Sequence, residues 1–486
     1  MPASCWAWCS APTPRRSKPV LQVTFHGAAE TVTGSQHLID MDGTQLLLDC
    51  GLFQGRRAES YERNRQPPYN AQQVQAVLLS HAHSDHAANL PTLQRLGFAG
   101  KVHCTSATKD LAGLMLRDSA KIQVSDTEFV NKIRRRHHEP PVEPLYLPEH
   151  AEAVLGSLQS HAYNEKFSVL PHVAATYQDA GHILGSASIV CELDTVAGLR
   201  TIGFSGDLGR NDMPILRDPV ELDTELDLLI MEGTYGNRQH ATPADAVEAL
   251  AGVVRSVCES GGRLIIPSFA VGRAQELTYW LHRLMEAGRV PRIPVFVDSP
   301  LASGVSKVFG DHSAIFDEET LAFIGTHPQG ALRFKELTYV ASADESRALN
   351  ERSGPYIVIS ASGMCEAGRI LHHLRNNIGD PRNLILIVSW QAEHTLGRRL
   401  VERQPRVRIF GEEFAVRAPV QVINGLSAHA DQAGLLRWAG ALRGRVKQVA
   451  LVHGELEALQ ALRTQLLAAG FPVVHIPKMH ETVHIP

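Results

Sequence analysis

The chain has 486 residues, of which 44% are hydrophobic and 20% charged, and its formal net charge is −4 at pH 7. A chain of this length is too long to fold around a single hydrophobic core, so we expect a globular protein of two or three domains. The slightly acidic balance excludes binding to nucleic acid through overall positive charge, and an RNA partner would need a local basic patch.

The cysteines and the N-terminus predict a cytoplasmic protein. Seven cysteines are scattered along the chain, an odd number that favours free thiols in a reducing compartment over a disulfide framework. Cys5 and Cys9 could form a metal pair, but no second pair follows them. Residues 1–19 lack the apolar stretch of a signal peptide and read as a flexible tail. No apolar run approaches the roughly 18 residues of a membrane span, so no membrane association is expected.

The first folded segment begins with short alternating strands. Apolar runs between residues 20 and 48, separated by glycines, predict an antiparallel start to a sheet. Asp49 follows the last of these runs and precedes a glycine, so it is either a metal ligand or an anchor for a ligand. A buried strand is predicted at 76–79, and residues 87–96 are predicted to form a helix.

A dense group of metal-binding side chains follows the strand at 76–79. It consists of His81, His83, Asp85 and His86. Neutral imidazole and carboxylate are zinc ligands at neutral pH. Four such groups in six residues exceed what one tetrahedral ion needs from a local segment, so the pattern predicts two adjacent metal ions.

Two later motifs supply the missing ligands. His182 lies between glycines 181 and 185, and a histidine that only fills a core would not need such close backbone approach on both sides. Asp207 follows a predicted strand and is also bracketed by glycines. Between these motifs and the first group, residues 109–158 are charged and helical in pattern. The basic run at 132–138 is either a solvated face or a phosphate contact near the cleft.

From residue 236 the sequence pattern changes to alternating strands and helices, which predicts a parallel α/β domain. Three loops at its strand ends combine small or hydroxyl residues with arginine, which suits phosphate binding, although such loops also occur for structure alone. The candidate substrate-binding residues in these loops are Ser268, Arg273, Ser360, Ser362, Gly363 and Arg398.

The last 70 residues again show the pattern of the first part of the chain, with short strands and histidine motifs. His453 follows a strand and precedes a glycine, as a ligand position does. His429, beside Asp431, could be a seventh ligand or a proton donor.

Taken in order, these motifs resemble those of the metallo-β-lactamase-fold ribonucleases with an inserted β-CASP domain, relatives of the pre-mRNA 3′-end cleavage endonuclease. The resemblance rests on the segment from His81 to His86, the Gly-His and Gly-Asp pairs, Glu232-Gly-Thr-Tyr-Gly, Ser-Ala-His429 and Val-His453-Gly-Glu. It implies an α/β protein, an αββα sandwich interrupted by a parallel-sheet insertion. The implied domains are residues 20–235 and 421–486 for the sandwich and 236–420 for the insertion.

The resemblance also implies the chemistry. One zinc ion would be held by His81, His83 and His182, the other by Asp85, His86 and His453, with Asp207 bridging both. A hydroxide shared by the ions would attack phosphorus, with Asp85 counted among the catalytic residues. His429 would protonate the leaving 3′-oxygen, and Glu232 would orient the His429 side chain. The products of this cleavage would carry 3′-hydroxyl and 5′-phosphate ends.

The expected function is therefore a two-zinc ribonuclease that cuts single-stranded RNA internally. Alternatives are a 5′-exoribonuclease of the same family, a non-cleaving RNA-binding subunit, a small-molecule hydrolase and a DNA nuclease. Gly233 stands where the family usually has serine, and no extra domain follows His484, which argues against the exonuclease branch. The oligomeric state, a homodimer included, is left open.

Overall fold

The structure is a computed structural model that describes residues 21–55, 57–327 and 329–485. The predicted tail at 1–19 and the Cys5 and Cys9 pair lie outside the described residues. The strands are β1 (Leu21–Phe25), β2 (His37–Met41), β3 (Thr44–Leu48), β4 (Val74–Leu78), β5 (Lys101–Thr105), β6 (Leu158–His161), β7 (Lys166–Leu170), β8 (Val173–Asp179), β9 (Ala187–Thr195), β10 (Gly198–Phe204), β11 (Leu228–Glu232), β12 (Arg263–Pro267), β13 (Val295–Val297), β14 (Leu337–Tyr339), β15 (Tyr356–Ser360), β16 (Leu384–Ile387), β17 (Arg406–Ile409), β18 (Glu412–Ala415), β19 (Val420–Val422), β20 (Val449–Val452), β21 (Val474–His475) and β22 (Thr482–Ile485).

The helices occupy the faces of the sheets. They are α1 (Arg57–Arg65), α2 (Ser84–Ala87), α3 (Leu90–Arg95), α4 (Ser106–Arg136), α5 (Pro148–Leu155), α6 (Pro243–Ser260), α7 (Arg273–Glu286), α8 (Pro300–Asp311), α9 (Glu318–Thr326), α10 (Ala343–Ala348), α11 (Ile370–Asn377), α12 (Leu396–Val401), α13 (Gln432–Gly440) and α14 (Leu456–Ala468). Short 3₁₀ turns occur at Ser313–Ile315, Leu349–Glu351 and Asn424–Leu426.

Two seven-stranded sheets form a sandwich. Their strand orders are β22-β1-β2-β3-β4-β5-β6 and β21-β20-β11-β10-β9-β8-β7. The predicted antiparallel start is confirmed, since β1 pairs with β2 and β2 with β3 in antiparallel fashion, whereas β4, β5 and β6 continue the sheet in parallel. Apolar side chains of both sheets, such as Phe25, Ile39 and Ile230, are buried between them. Helices α3, α4 and α5 cover the first sheet, and α13 and α14 the second, which gives the αββα layering.

A third sheet is formed by the segment of the chain that separates the two parts of the sandwich. Its order is β14-β13-β15-β12-β16-β19, and all its pairings are parallel. Its strands are apolar on both faces because α6 and α7 cover one face and α11 and α12 the other. Strand β19 belongs to this sheet and runs to Val422, two residues past the predicted boundary at 420. The predicted parallel α/β insertion is thus observed.

Some predicted elements differ from the observed ones. The single helix predicted at 87–96 is wrong, because α2 ends at Ala87 and Pro91 lies in the first turn of α3, where its missing N–H is tolerated. Asp85 and His86 consequently lie in α2, not in a loop. The helical segment predicted at 109–158 is divided into α4 and α5 around the prolines at 140–141.

Among the residues that the structure describes, no helix is both long and apolar enough to span a bilayer. The five cysteines in this part of the chain are all free, and four of them are buried.

Candidate active site

The predicted metal ligands lie where strands end. His81 follows β4, His182 follows β8, Asp207 follows β10 and His453 follows β20. Because β10, β11 and β20 are parallel neighbours, their carboxyl ends lie at one edge of the second sheet. The end of β4 in the facing sheet meets this edge, since Ala187 N donates to the Ser80 carbonyl oxygen at 2.9 Å.

A first group of ligand atoms comes from His81, His83, His182 and Asp207, and all of these atoms lie within 4.8 Å of one another. His83 Nδ1 is 3.1 Å from His81 Nε2 and 3.2 Å from His182 Nε2. Except for His83, which is partly exposed, these residues are buried.

A second group comes from Asp85, His86 and His453. The Nε2 atoms of His86 and His453 are 3.2 Å apart, and His453 Nε2 is 3.6 Å from Asp85 Oδ2. Both histidines are buried. The six-residue segment after β4 therefore contributes to both groups.

The Asp207 carboxylate lies between the two groups. Its Oδ2 is 3.5 Å from His81 Nε2 and 3.5 Å from His182 Nε2. Its Oδ1 is 3.2 Å from His86 Nε2, in the second group. Each oxygen thus faces a different group of histidines, so this carboxylate is placed to contribute a ligand atom to each group.

The donor set fits zinc. Two ligand atoms at about 2.0–2.1 Å from a tetrahedral zinc ion are roughly 3.3–3.4 Å apart, close to the observed spacing of the imidazole nitrogens. Asp207 Oδ1 is buried and has no hydrogen-bond partner within the described protein, although His86 Nε2 is 3.2 Å away. A cation shared by these atoms would satisfy it.

Burial keeps the histidines of the first group neutral. It lowers the pKa of His83 to about 4 and the pKa of His81 and His182 well below the usual 6.5. Neutral imidazole is the form that binds a metal ion. For Asp207, burial opposes ionisation, but the surrounding imidazoles, His453 first, hold its pKa well below the usual range.

Polar groups behind the ligands fix their orientation. Asp49 accepts a hydrogen bond from His86 Nδ1 at 2.6 Å and from the Ser80 backbone N–H at 2.7 Å, so of the two predicted roles it has that of an anchor. Thr234 Oγ1 lies 3.1 Å from His453 Nδ1 and donates to the His453 carbonyl oxygen at 2.9 Å. Sequence reasoning gave no role to Ser80 or Thr234. The signal in the sequence was that Ser80 precedes His81 and that Thr234 belongs to the Glu232-Gly-Thr-Tyr-Gly motif.

Glycines make room for this backbone. Gly181 has φ +64°, and a Cβ there would lie 2.7 Å from the Arg217 carbonyl oxygen. A Cβ on Gly209 would lie 1.9 Å from the Gly181 carbonyl oxygen. The close backbone approach predicted around His182 is confirmed.

His429 and Glu232 form a pair beside the metal ligands. His429 Nδ1 is 3.1 Å from Glu232 Oε1, and His429 Nε2 points to Asp207 Oδ2 at 4.0 Å. Glu232 is buried and also accepts the Leu208 N–H at 2.7 Å. Burial would lower the pKa of His429, but the carboxylates of Glu232 and Asp207 raise it to about 9.

Three of the six candidate substrate-binding side chains are buried. Ser268 donates to the Phe269 carbonyl oxygen at 3.0 Å, and Ser360 donates at 2.8 Å to the backbone oxygen of the residue that follows β13. Arg273 is 7% exposed and forms an ion pair with Glu276. These side chains take part in loop hydrogen bonds and a buried ion pair, and their contact with substrate stays a prediction.

The other three candidates differ in exposure. Ser362 Oγ accepts the backbone N–H groups of Glu366 and Ala367 at 3.1 and 3.3 Å. Gly363 is buried against the Phe269 ring. Arg398 is exposed and pairs with a nearby glutamate.

The basic run at 132–138 lies at the far end of α4. The helix has 31 residues and is therefore roughly 46 Å long. Thr105 caps the N-terminus of this helix, and its hydroxyl donates to the Gly185 carbonyl oxygen at 2.7 Å. Gly185 is three residues after His182, so the N-terminus of the helix is the end near the metal ligands. Of the two alternatives for this run, the solvated face is therefore favoured over a phosphate contact near the cleft.

Comparison with known proteins agrees with this geometry. Residues 44–257 match a Beta-lactamase superfamily domain, 274–400 a Beta-Casp domain, and 413–477 a Zn-dependent metallo-hydrolase RNA specificity domain. A ribonuclease of Thermus thermophilus, TTHA0252, is 38% identical over 93% of this chain and 97% of its own. The chain belongs to the β-CASP family of metallo-β-lactamase-fold hydrolases. The family predicted from the sequence is thus confirmed, and the chain is a metal-dependent hydrolase.

More distant relatives cover most of the chain as well. The transcription termination factor FttA of Thermococcus kodakarensis is 29% identical over 90% of this chain and 67% of its own. A protein of unknown function from Enterococcus faecalis, known from its crystal structure, shares the fold with a TM-score of 0.54 and 15% identity, over 96% of this chain and all of that one.

Proposed function

We propose that this protein is a zinc-dependent ribonuclease that cleaves single-stranded RNA internally and leaves 3′-hydroxyl and 5′-phosphate ends. The observation that carries the proposal is the Asp207 carboxylate between two groups of histidines, with the His429 and Glu232 pair beside it. The name of the Thermus thermophilus relative, a ribonuclease, supports RNA as the substrate, as does the match to an RNA specificity domain.

The ligand assignment follows from the two groups. One zinc ion is assigned to His81, His83 and His182, the other to Asp85, His86 and His453, and both to Asp207. When bound, two zinc ions activate water and neutralise charge on the phosphodiester. Asp85 and the other ligands hold this centre, and Asp49 and Thr234 keep the imidazoles in their orientation.

His429 has the role of general acid. Its Nδ1–H donates to Glu232, so Nε2 is the atom that faces the ligand groups and can deliver a proton to the leaving 3′-oxygen. Glu232 holds the ring in that tautomer and orientation, in the way that a buried carboxylate orients the histidine of a catalytic triad.

The domain division, the cellular location and the assembly are proposals too. We assign residues 20–235 and 423–486 to the sandwich and 236–422, up to the end of β19, to the insertion. The free, buried thiols support a cytoplasmic location. A homodimer is to be tested by light scattering. Ser362, Gly363 and Arg398 are proposed to contact the RNA backbone.

The test uses one single-stranded RNA labelled at its 5′ end and, separately, at its 3′ end. Internal fragments that disappear in the His429→Ala variant and after chelation are expected. Release of mononucleotides from the 5′ end alone would assign the protein to 5′-exonucleolytic decay. RNA binding without cleavage, in the presence of zinc, would assign it to the non-cleaving subunits.

A further inference from the structure

Two exposed aromatic side chains lie at the edge of the third sheet that faces the metal ligands. Phe269, 41% exposed, follows β12, and Trp390, 37% exposed, follows β16. A soluble protein normally buries such rings or presents them singly. Here both lie at the carboxyl ends of strands of one parallel sheet, where ligands of such sheets bind.

A continuous set of contacts joins these two rings. A Cβ on Gly363 would lie 3.1 Å from the Phe269 ring, so the ring packs on the Gly363 backbone. The Gly363 carbonyl oxygen accepts a hydrogen bond from Gln391 Nε2 at 3.0 Å, and Gln391 directly follows Trp390. Gln391 is buried, which fixes the chain next to the indole. The loops that carry the two rings are therefore joined through Gly363.

A contact also places the Phe269 loop beside the metal centre. A Cβ on Gly272, in this loop, would lie 3.2 Å from Ile183, the neighbour of the proposed ligand His182. The Trp390 loop joins the Phe269 loop through Gly363, on which the Phe269 ring packs and to which Gln391 donates.

We propose that Phe269 and Trp390 form a stacking site for unpaired RNA bases next to the bond that is cleaved. Every base has a π-face, so aromatic stacking binds single strands with little sequence preference. A duplex keeps its bases stacked on one another and cannot offer them to the rings. The inference rests on the proposed function, because it assumes that RNA occupies this cleft, and it supplies a physical reason for a single-strand preference.

The test measures RNA binding by the full-length, zinc-loaded His429→Ala protein, which retains the proposed ligands. The probes are a fluorescent oligouridine, an oligomer of equal length with abasic positions, and a blunt duplex. Replacing Phe269 or Trp390 with alanine is expected to weaken oligouridine binding roughly 5- to 150-fold each. Binding of the abasic oligomer should change little. Phe269→Tyr and Trp390→Phe should retain most of the affinity.

Phe129→Ala is the matched control, because this ring is 61% exposed but lies on α4, outside the cleft. Its affinity should equal that of the parent. Alanine variants that bind oligouridine as tightly as the parent, while the wild-type enzyme cleaves RNA, would overturn the stacking site alone. Equal losses on the abasic oligomer would overturn it as well, since they would reveal a general distortion of the cleft. A parent that binds no RNA would overturn the proposed function and the stacking site together.

Discussion

The pair of His429 and Glu232 gives the sharpest prediction of the mechanism. In the Glu232→Gln variant the side chain keeps its size but loses the charge that faces His429 Nδ1 at 3.1 Å in a buried position. A hydrogen bond to a charged group contributes about 1.5–3 kcal/mol, so the cleavage rate should fall roughly 10- to 150-fold if that energy orients the acid in the transition state. His429→Ala removes the acid itself and should reduce the rate by roughly 10²–10⁴.

The double variant separates orientation from other effects. Since Glu232 acts through His429, adding Glu232→Gln to His429→Ala should reduce the rate by no more than about threefold, a limit that allows for neighbouring effects. The assay is single-turnover cleavage of a labelled RNA at saturating protein and zinc, with zinc content and melting temperature measured for each variant. Full multiplication of the two separate losses in the double variant would refute the proposed role of Glu232.

Three further predictions concern stability and the backbone around the site. Gly209→Ala places a methyl group against a backbone carbonyl and should reduce both stability and zinc content, whereas Gly252→Ala, inside α6 with open space around it, should stabilise the fold by about 0.5–1 kcal/mol. Burial lowers the pKa of His103 to about 4, below its unfolded value, so the stability that its neutral form contributes is complete above about pH 6.5 and is lost as the pH falls towards 4. Arg273→Ala leaves Glu276 buried without its partner and should cost about 3–5 kcal/mol.

Urea unfolding at pH 7 and pH 5 measures these three effects. The control for Arg273→Ala is Arg347→Ala, whose ion pair with Asp344 is exposed and should change stability by less than about 1 kcal/mol. Equal effects of the two arginine substitutions would contradict the argument from burial. For His103, a His103→Phe variant that loses as much stability at pH 5 as the parent would contradict its assignment as a titrating group. For Gly209, full zinc content in the alanine variant would contradict the claim of close packing.

Local sequence pattern was sufficient to predict most strands and the side chains that the structure brings together in the two groups. The order of strand, histidine and glycine around His182 and His453 encodes both the sheet edge and the close backbone approach, so the place of both residues at that edge could be predicted from the sequence. The helix at 87–96 failed because a proline can begin a helix as well as end one, and only the packed structure decides between the two.

The loops of the third sheet show where sequence reasoning stops. Arg273 carries a charge that suits phosphate, but Glu276, one helical turn later, pairs with it in the interior. Conversely, Phe269 is apolar and was not predicted as a binding residue, although its ring is the exposed part of that loop. Which face of a loop points outward depends on contacts with distant segments such as the one at Ile183. No local pattern records those contacts.

Zinc titration of the metal-free protein tests the central claim most directly. The rate of RNA cleavage is measured as zinc is added in fractions of one equivalent per chain, at a protein concentration well above the dissociation constants. The two ligand groups joined by Asp207 predict a rate that reaches its plateau at two equivalents and is absent without zinc. Full cleavage after exhaustive chelation, or a plateau at one equivalent, would contradict the two-zinc centre.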